Sequence, residues 1–222
     1  MLNVAAIEKC ALAEFGKGVT CVVFLQGCDI RCSYCQNAGL IPRYSEKVME
    51  MTTAELSEQI PWAEIDALSI SGGEPLHSAV TSQAGSHLMA LLMEARMVKH
   101  KKTNVDTNGM FYDDKVILLE NIGPYLTTIS VDIKYMSPDY IHGMARALKR
   151  ADVFRKARFR MVMYAGRFPK RECIDSGLAT IARAGIKEIR GVRNHEACEM
   201  MTDGECAVAV EYFKKHGIAL VI

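Results

Sequence analysis

The stretch Thr20-Cys21-Val22-Val23-Phe24-Leu25-Gln26-Gly27-Cys28-Asp29-Ile30-Arg31-Cys32-Ser33-Tyr34-Cys35 joins an apolar strand to a cysteine loop, and the fold is read outward from that junction. Residues 20–25 are β-branched or apolar and end at a Gln-Gly pair, which is a strand signal. The three cysteines that follow have C-x3-C-x2-C spacing. They gather three thiolates in one loop and leave a fourth ligand position without a local donor. A structural zinc site closes with four protein ligands, whereas an iron–sulfur cube with three keeps one iron open. The competing reading is a zinc site completed by a distant Cys or His. The absence of a second C-x2-C pair weighs against it.

Beyond the loop, short apolar runs alternate with helical stretches. Strands are expected at 67–70, 103–106, 127–133, 158–164, 187–192 and 219–222, and helices near 85–98, 115–120, 138–150, 171–184 and 204–216. Thr52 and Glu55 stand at capping-box spacing and open another helix. Gly185 and Gly217 are placed to terminate the helices before them. This alternation implies βα units around a parallel sheet, six or seven of which curve into a barrel or most of one. The 222 residues, half of them hydrophobic, suit a single domain over 1–222.

Composition excludes several classes. A net charge of +1, from 27 basic against 26 acidic residues, gives no basic excess for nucleic acid. The run Lys99-His100-Lys101-Lys102 reads as a solvated edge before a strand. Residues 1–10 include Glu8 and Lys9 and resemble no secretory leader, and no run of about 18 apolar residues spans a membrane. A reducing, cytoplasmic setting follows, in which clustered cysteines read as metal or redox groups. Cys10, Cys21, Cys173, Cys198 and Cys206 are scattered and read as small buried hydrophobes, with a second metal at Cys198 and Cys206 a weaker reading.

Further motifs close successive strands. Ser71-Gly72-Gly73-Glu74-Pro75 is either a plain Gly-Gly turn or a place where backbone carbonyls meet an ammonium group. Asp106-Thr107-Asn108-Gly109 contains an Asn-Gly turn. Asp132 and Lys134 interrupt an apolar strand end, and a charged pair there needs partners or a polar ligand. Arg160 is embedded in the strand Arg158 to Met163, and Arg193-Asn194-His195-Glu196 follows a later strand.

In order, these motifs read GC-x3-C-x2-C-x-N, GGEP, DTNG, DIK, a strand arginine and a late HE pair. They resemble the radical S-adenosylmethionine (SAM) superfamily. Within it they resemble the activating enzymes of glycyl-radical enzymes, closest to the pyruvate formate-lyase and anaerobic ribonucleotide reductase activases. The resemblance runs from about Thr20 to the C-terminus and implies an α/β fold, a partial (β/α)6 TIM-like barrel of the radical SAM type. It implies a 4Fe–4S cluster on Cys28, Cys32 and Cys35, with SAM on its open iron. By position, Tyr34, Gly72, Gly73, Glu74, Asp106, Asp132, Lys134 and His195 match SAM-binding places, and Asp132, Lys134 and Arg160 match catalytic ones. Asp106, Thr107 and Asp132 match a monovalent-cation site.

The implied reaction is reductive cleavage of SAM and removal of a hydrogen from a glycine of a partner glycyl-radical enzyme. A low-potential donor such as flavodoxin or ferredoxin would supply the electron, and neither nucleic acid nor membrane takes part. The chain departs from the family at Gln36, where many activases have His, and over 164–170, which lacks the usual acidic loop. It also lacks a second cysteine-rich insert. These departures keep open an alternative in which the same chemistry acts on a small molecule or peptide.

Overall fold

The computed structural model describes residues 1–12, 18–79, 82–164, 171–192 and 201–222. One nine-stranded sheet runs through them. Its strands are β1 (Leu2–Ala11), β2 (Thr20–Leu25), β3 (Met49–Met51), β4 (Ala67–Gly72), β5 (Lys102–Thr107), β6 (Thr128–Asp132), β7 (Ala157–Val162), β8 (Glu188–Val192) and β9 (Ala219–Val221). The spatial order is β3-β1-β2-β4-β5-β6-β7-β8-β9. From β2 to β9 every neighbouring pair is parallel, while β1 runs antiparallel to both β2 and β3.

The crossovers carry α1 (Thr53–Gln59), α2 (Pro75–Ser78), α3 (Ser82–Met93), α4 (Asp113–Ile122), α5 (Pro138–Arg150), α6 (Arg171–Ala184) and α7 (Asp203–Lys215). Six βα units and a final strand follow β1, as the alternation predicts. The N-terminal strands β1 and β3 are an addition. The helix expected over 85–98 begins earlier and ends in a π-helical turn, Glu94–Val98. The capping box at Thr52 forms, with the Glu55 N–H donating to its hydroxyl and the Thr52 N–H donating to the Glu55 carboxylate.

The two faces of the sheet differ. One carries Val23, Leu25, Leu68, Ile70, Val105, Ile129, Val131 and Met161, all buried. Leu88, Leu91 and Leu92 of α3, Leu119 and Ile122 of α4, Ile141 and Leu148 of α5, and Leu178 and Ile181 of α6 belong to the same hydrophobic core. The alternate positions are polar: Ser69 and Ser71, Asn104 and Asp106, Thr128, Ser130 and Asp132, Arg158 and Arg160. Register aligns them across the strands, with Ser69 beside Asn104, Asn104 beside Thr128, and Asp132 beside Arg160.

Their hydrogen bonds close on one another. Asn104 donates to the Ser69 hydroxyl at 3.0 Å, and its carbonyl accepts from Thr128 at 2.9 Å and Ser130 at 3.1 Å. This satisfies polar groups that would otherwise be costly to bury.

Phe24 of β2 and Val192 of β8 line the same cavity of about 310 Å³. Laid flat, strands five spacings apart in this order would be about 24 Å distant. The sheet therefore curls around its polar face, giving most of a barrel. Among the described residues β3 and β9 remain its two open ends.

Gly72 and Gly73 sit where β4 meets β2. A Cβ on Gly73 would collide with the Gly27 and Leu40 carbonyls, and Gly72 has a φ of +124°. Gly73→Ala should cost about 2 kcal/mol or more, read as a lowered urea midpoint. Gly143, in α5 with nothing within 4 Å of an added Cβ, is the contrast. Gly143→Ala should stabilise by about 0.5–1 kcal/mol.

Candidate active site

The cysteine loop leaves β2 through buried Gln26, whose side-chain amide donates to the Gly39 and Pro42 carbonyls at 3.1 and 2.6 Å. The Gly27 and Cys28 N–H groups donate to Leu40 and Ile41. These bonds close the base of the loop. At its tip, Cys35 N–H donates to the Cys32 carbonyl at 3.2 Å, and Arg31 donates to the Cys28 carbonyl at 3.0 Å. Cys28, Cys32 and Cys35 are free thiols, half-buried, and line the 310 Å³ cavity.

Strand ends form the facing wall, as expected at the carboxyl edge of a parallel sheet. Asp132 accepts from Arg160 Nε at 2.8 Å and from Lys134 Nζ at 3.2 Å. Arg160 Nη2 also lies 3.3 Å from Asp106. Asp106 accepts from the Ser71 hydroxyl and the Asn104 amide, both at 2.9 Å. The Lys134 ammonium sits 5.7 Å from the centre of the Tyr34 ring, which stacks at 4.9 Å on Tyr164. Two carboxylates and two cations thus face three thiols across one cavity.

Burial alone would raise the Asp132 carboxyl, but Lys134 and then Arg160 outweigh it and hold it below the usual carboxylate range. Burial would likewise lower Lys134, and Asp132 overcomes that and pushes it up. Both groups are held charged.

Glu74 lines the same cavity as the other expected SAM contacts, with its carboxylate engaged inside the protein. It is 0% exposed, and its carboxylate accepts from Thr107 hydroxyl at 2.8 Å, Asn108 N–H at 2.6 Å and Leu76 N–H at 3.3 Å. Burial pushes this carboxyl above its ordinary range. In these contacts its side chain ties the GGEP turn to the DTNG turn. Gly72 and Gly73 line the cavity.

The groups expected around a monovalent cation are also engaged elsewhere. Thr107 is bonded to Glu74, and Asp106 and Asp132 are bridged by the Arg160 guanidinium. The His195-Glu196 pair and Cys198 lie outside the described residues, as does the side chain of Cys173. Cys21 and Cys206 are buried as expected, but Cys10 is exposed on β1.

The motif reading missed Tyr140 and the Asp29–Lys115 pair. The single Tyr140 hydroxyl proton is shared between the Asn108 carbonyl at 2.8 Å and the Asp132 carbonyl at 3.1 Å, and the oxygen accepts from the Lys134 N–H at 3.1 Å. One phenol so joins the DTNG and DIK strand ends. Burial pushes its pKa up, which keeps the proton in place. Asp29, inside the cysteine loop, bonds Lys115 of α4 at 2.7 Å and the Asn108 amide at 2.8 Å.

Among the described residues no three His, Cys, Asp or Glu side chains are grouped to hold a single metal ion. A cube ligated at three corners asks for thiols set further apart than the ligands of one ion. Three free, half-buried thiols from one loop suit that donor set.

Residues 15–139 match the model of the 4Fe-4S single cluster domain, and the chain belongs to that family. Among curated proteins it is 29% identical over 133 residues to a putative glycyl-radical enzyme activating enzyme of Methanocaldococcus jannaschii, covering 59% of this chain and 50% of that one. A protein of the same description from Haemophilus influenzae is 32% identical over 110 residues, 48% of this chain and 39% of the other. The pyruvate formate-lyase-activating enzyme of Streptococcus mutans is 28% identical over 132 residues, 56% of this chain and 48% of the other. The chain thus spans about half the length of the curated relatives it matches. The crystal structure of methylornithine synthase superposes with a TM-score of 0.57 at 11% identity, covering 90% of this chain and 63% of that one, a likeness of fold.

The Asp132 pairing carries a pH signature. A carboxyl depressed in the folded state adds stability that is complete above its unfolded pKa, about 3.9, and is lost as pH falls through the lower folded value. Asp132→Asn should therefore cost about 2 kcal/mol at pH 7. The gap between its urea midpoint and that of the wild type should narrow below about pH 4. A gap that stays constant into acid would contradict the pairing.

Proposed function

We propose that this chain is a radical SAM activase that takes a hydrogen from a glycine of a partner glycyl-radical enzyme. The observation that carries the reading is the single cavity in which Cys28, Cys32 and Cys35 face Asp106, Asp132, Lys134 and Arg160. The family supports the cluster, and the relatives' names support the reaction. We read residues 1–222 as one such domain, because a single sheet runs through it. Among the described residues no helix is long and apolar enough to cross a membrane. Free loop thiols fit the reducing cytoplasm, where a low-potential flavodoxin or ferredoxin would be the donor.

Cys28, Cys32 and Cys35 would hold three irons of a 4Fe–4S cluster. When bound, the cluster and SAM together supply a one-electron reduction and a hydrogen-abstracting carbon radical. The residues opposite suit the amino-acid end of SAM. Asp106 would accept its ammonium by exchanging the Arg160 contact at 3.3 Å, the longest of those described for it. Lys134 and the released Arg160 would take the carboxylate through charge-assisted hydrogen bonds. The paired glycines Gly72 and Gly73 leave room for close approach. The Tyr34 ring, packed on Tyr164, covers Lys134 on one side, which strengthens its charge interactions. The open curl of the sheet suits a peptide that must reach into the cavity, and positioning there carries much of the rate.

Anaerobic reconstitution should give about four irons per chain and SAM cleavage on reduction. Cys32→Ala should lose both. Lys134→Met should keep its iron but bind SAM roughly 10- to 100-fold more weakly in equilibrium dialysis. With a cognate glycyl-radical enzyme, electron paramagnetic resonance should show a glycyl doublet. SAM cleavage with no doublet on any such partner would favour a small-molecule or peptide substrate, and zinc with no cleavage would sink both readings.

A further inference from the structure

Lys115 stands in the first turn of α4, an end where the helix dipole disfavours a cation, and it is only 1% exposed. Lysines are almost never buried this deeply unless paired. Its ammonium meets Asp29 at 2.7 Å and the Met110 carbonyl at 2.9 Å, with Glu74 at 4.0 Å. The other Asp29 oxygen accepts from the Asn108 amide at 2.8 Å. Asn108 is in turn held by Glu74 through its N–H and by Tyr140 through its carbonyl. Asp29 lies between Cys28 and Cys32, in a stretch with no strand or helix of its own.

We propose that Lys115 is a positioning residue for the cysteine loop, acting through Asp29 to set the three thiols against the Gly-Gly and DTNG turns before any cluster is built. This rests on the loop being the cluster site. The base of the loop is fixed by Gln26 and the Leu40 and Ile41 carbonyls, but these bonds sit on the strand side of Cys28 or at it. Beyond Cys28, Asp29 makes two long-range polar ties, spanning 86 residues to Lys115 and 79 to Asn108. Removing the ammonium would leave the Asp29 and Glu74 carboxylates facing each other without a counter-charge. The largely buried Asp29 carboxylate would keep only the Asn108 bond and must regain water, which favours movement of the loop. Asp29 and Lys115 thus hold the loop from one side, while Tyr34 beneath Lys134 holds it from the other.

The test uses the full chain in metal-free and reconstituted forms, with Lys115→Met and Asp29→Asn, which break the same pair from opposite ends. In the metal-free protein, amide hydrogen exchange over 28–35 should rise about tenfold or more in both variants, while β4 and β6 exchange as in the wild type. After anaerobic reconstitution, both should hold less than half the wild-type iron, and the reduced cluster should give a broadened paramagnetic resonance spectrum. Lys115→Arg should recover most of the iron.

If Lys115→Met does not fold, Asp29→Asn decides by the same readouts. Wild-type exchange over 28–35 together with wild-type iron in a folded variant would overturn the proposal. A wild-type chain that takes up no iron–sulfur cluster would overturn the proposed function and the positioning role with it. Wild-type loading with unchanged variants would overturn the positioning role alone.

Discussion

A parallel sheet ordinarily buries both faces in hydrocarbon, so a polar face must satisfy itself. Here one face carries serine, threonine, asparagine, aspartate and arginine at most alternate positions of four adjoining strands. Most of these groups are matched across the register rather than solvated, with Arg158 at the exposed end. Asn104 is the hub, bonding Ser69, Asp106, Thr128 and Ser130. Moving up the strands, the ladder changes from neutral amides and hydroxyls to the charged set Asp106, Asp132 and Arg160. The curl of the sheet, the cavity and its electrostatics all depend on that self-satisfied ladder. A flat sheet would leave its charged ends in water, where ion pairs contribute little.

The loops above the ladder have little regular structure of their own. Their geometry comes from a small number of long-range bonds. Glu74 joins the GGEP turn to Thr107 and Asn108, Tyr140 joins Asn108 to the DIK strand end, and Asp29 with Lys115 joins the cysteine loop to both. Each tie is buried or part-buried and joins separate elements, those of Glu74 and Asp29 across 33 residues or more. Breaking one leaves an unpaired polar group in a dry setting, so these contacts specify an arrangement more than they add net stability.

Apart from β3, the strands from β2 onward were legible because their apolar face is continuous and many of their ends are marked by Gly, Asn or Asp. The strand β1 was not. Its residues 5–11 are half-exposed and include Glu8 and Lys9, so no clean alternation shows. The three residues of β3 are too short for any period. Among site residues, those inside short motifs could be found by pattern. Tyr140 and Lys115 lie on helices whose other faces are apolar, and their roles depend on which strand end each helix start meets. One signal was available: the period-two polar residues at 69 and 71, 104 and 106, and 128, 130 and 132 mark a sheet face that is neither core nor surface. Glu74 shows the opposite limit. Its motif was legible, but the direction of its carboxylate is set by Asn108 and Thr107, some 33 residues away.

The charges lining the cavity wall balance among themselves. Asp106 and Asp132 are answered by Lys134 and Arg160, so the wall itself pairs two carboxylates with two cations. Such a wall avoids leaving any of the four as a stranded charge, which would be expensive at this depth. It also sets the terms of binding. A ligand carrying one ammonium and one carboxylate can insert by exchanging partners, with each protein charge keeping a counter-charge throughout. A ligand with only one of these groups would strand its opposite number on the wall. Under the proposed function, selectivity for an amino-acid end would follow from charge conservation within a low-dielectric cavity, before shape or the chemistry of the cysteine loop enters.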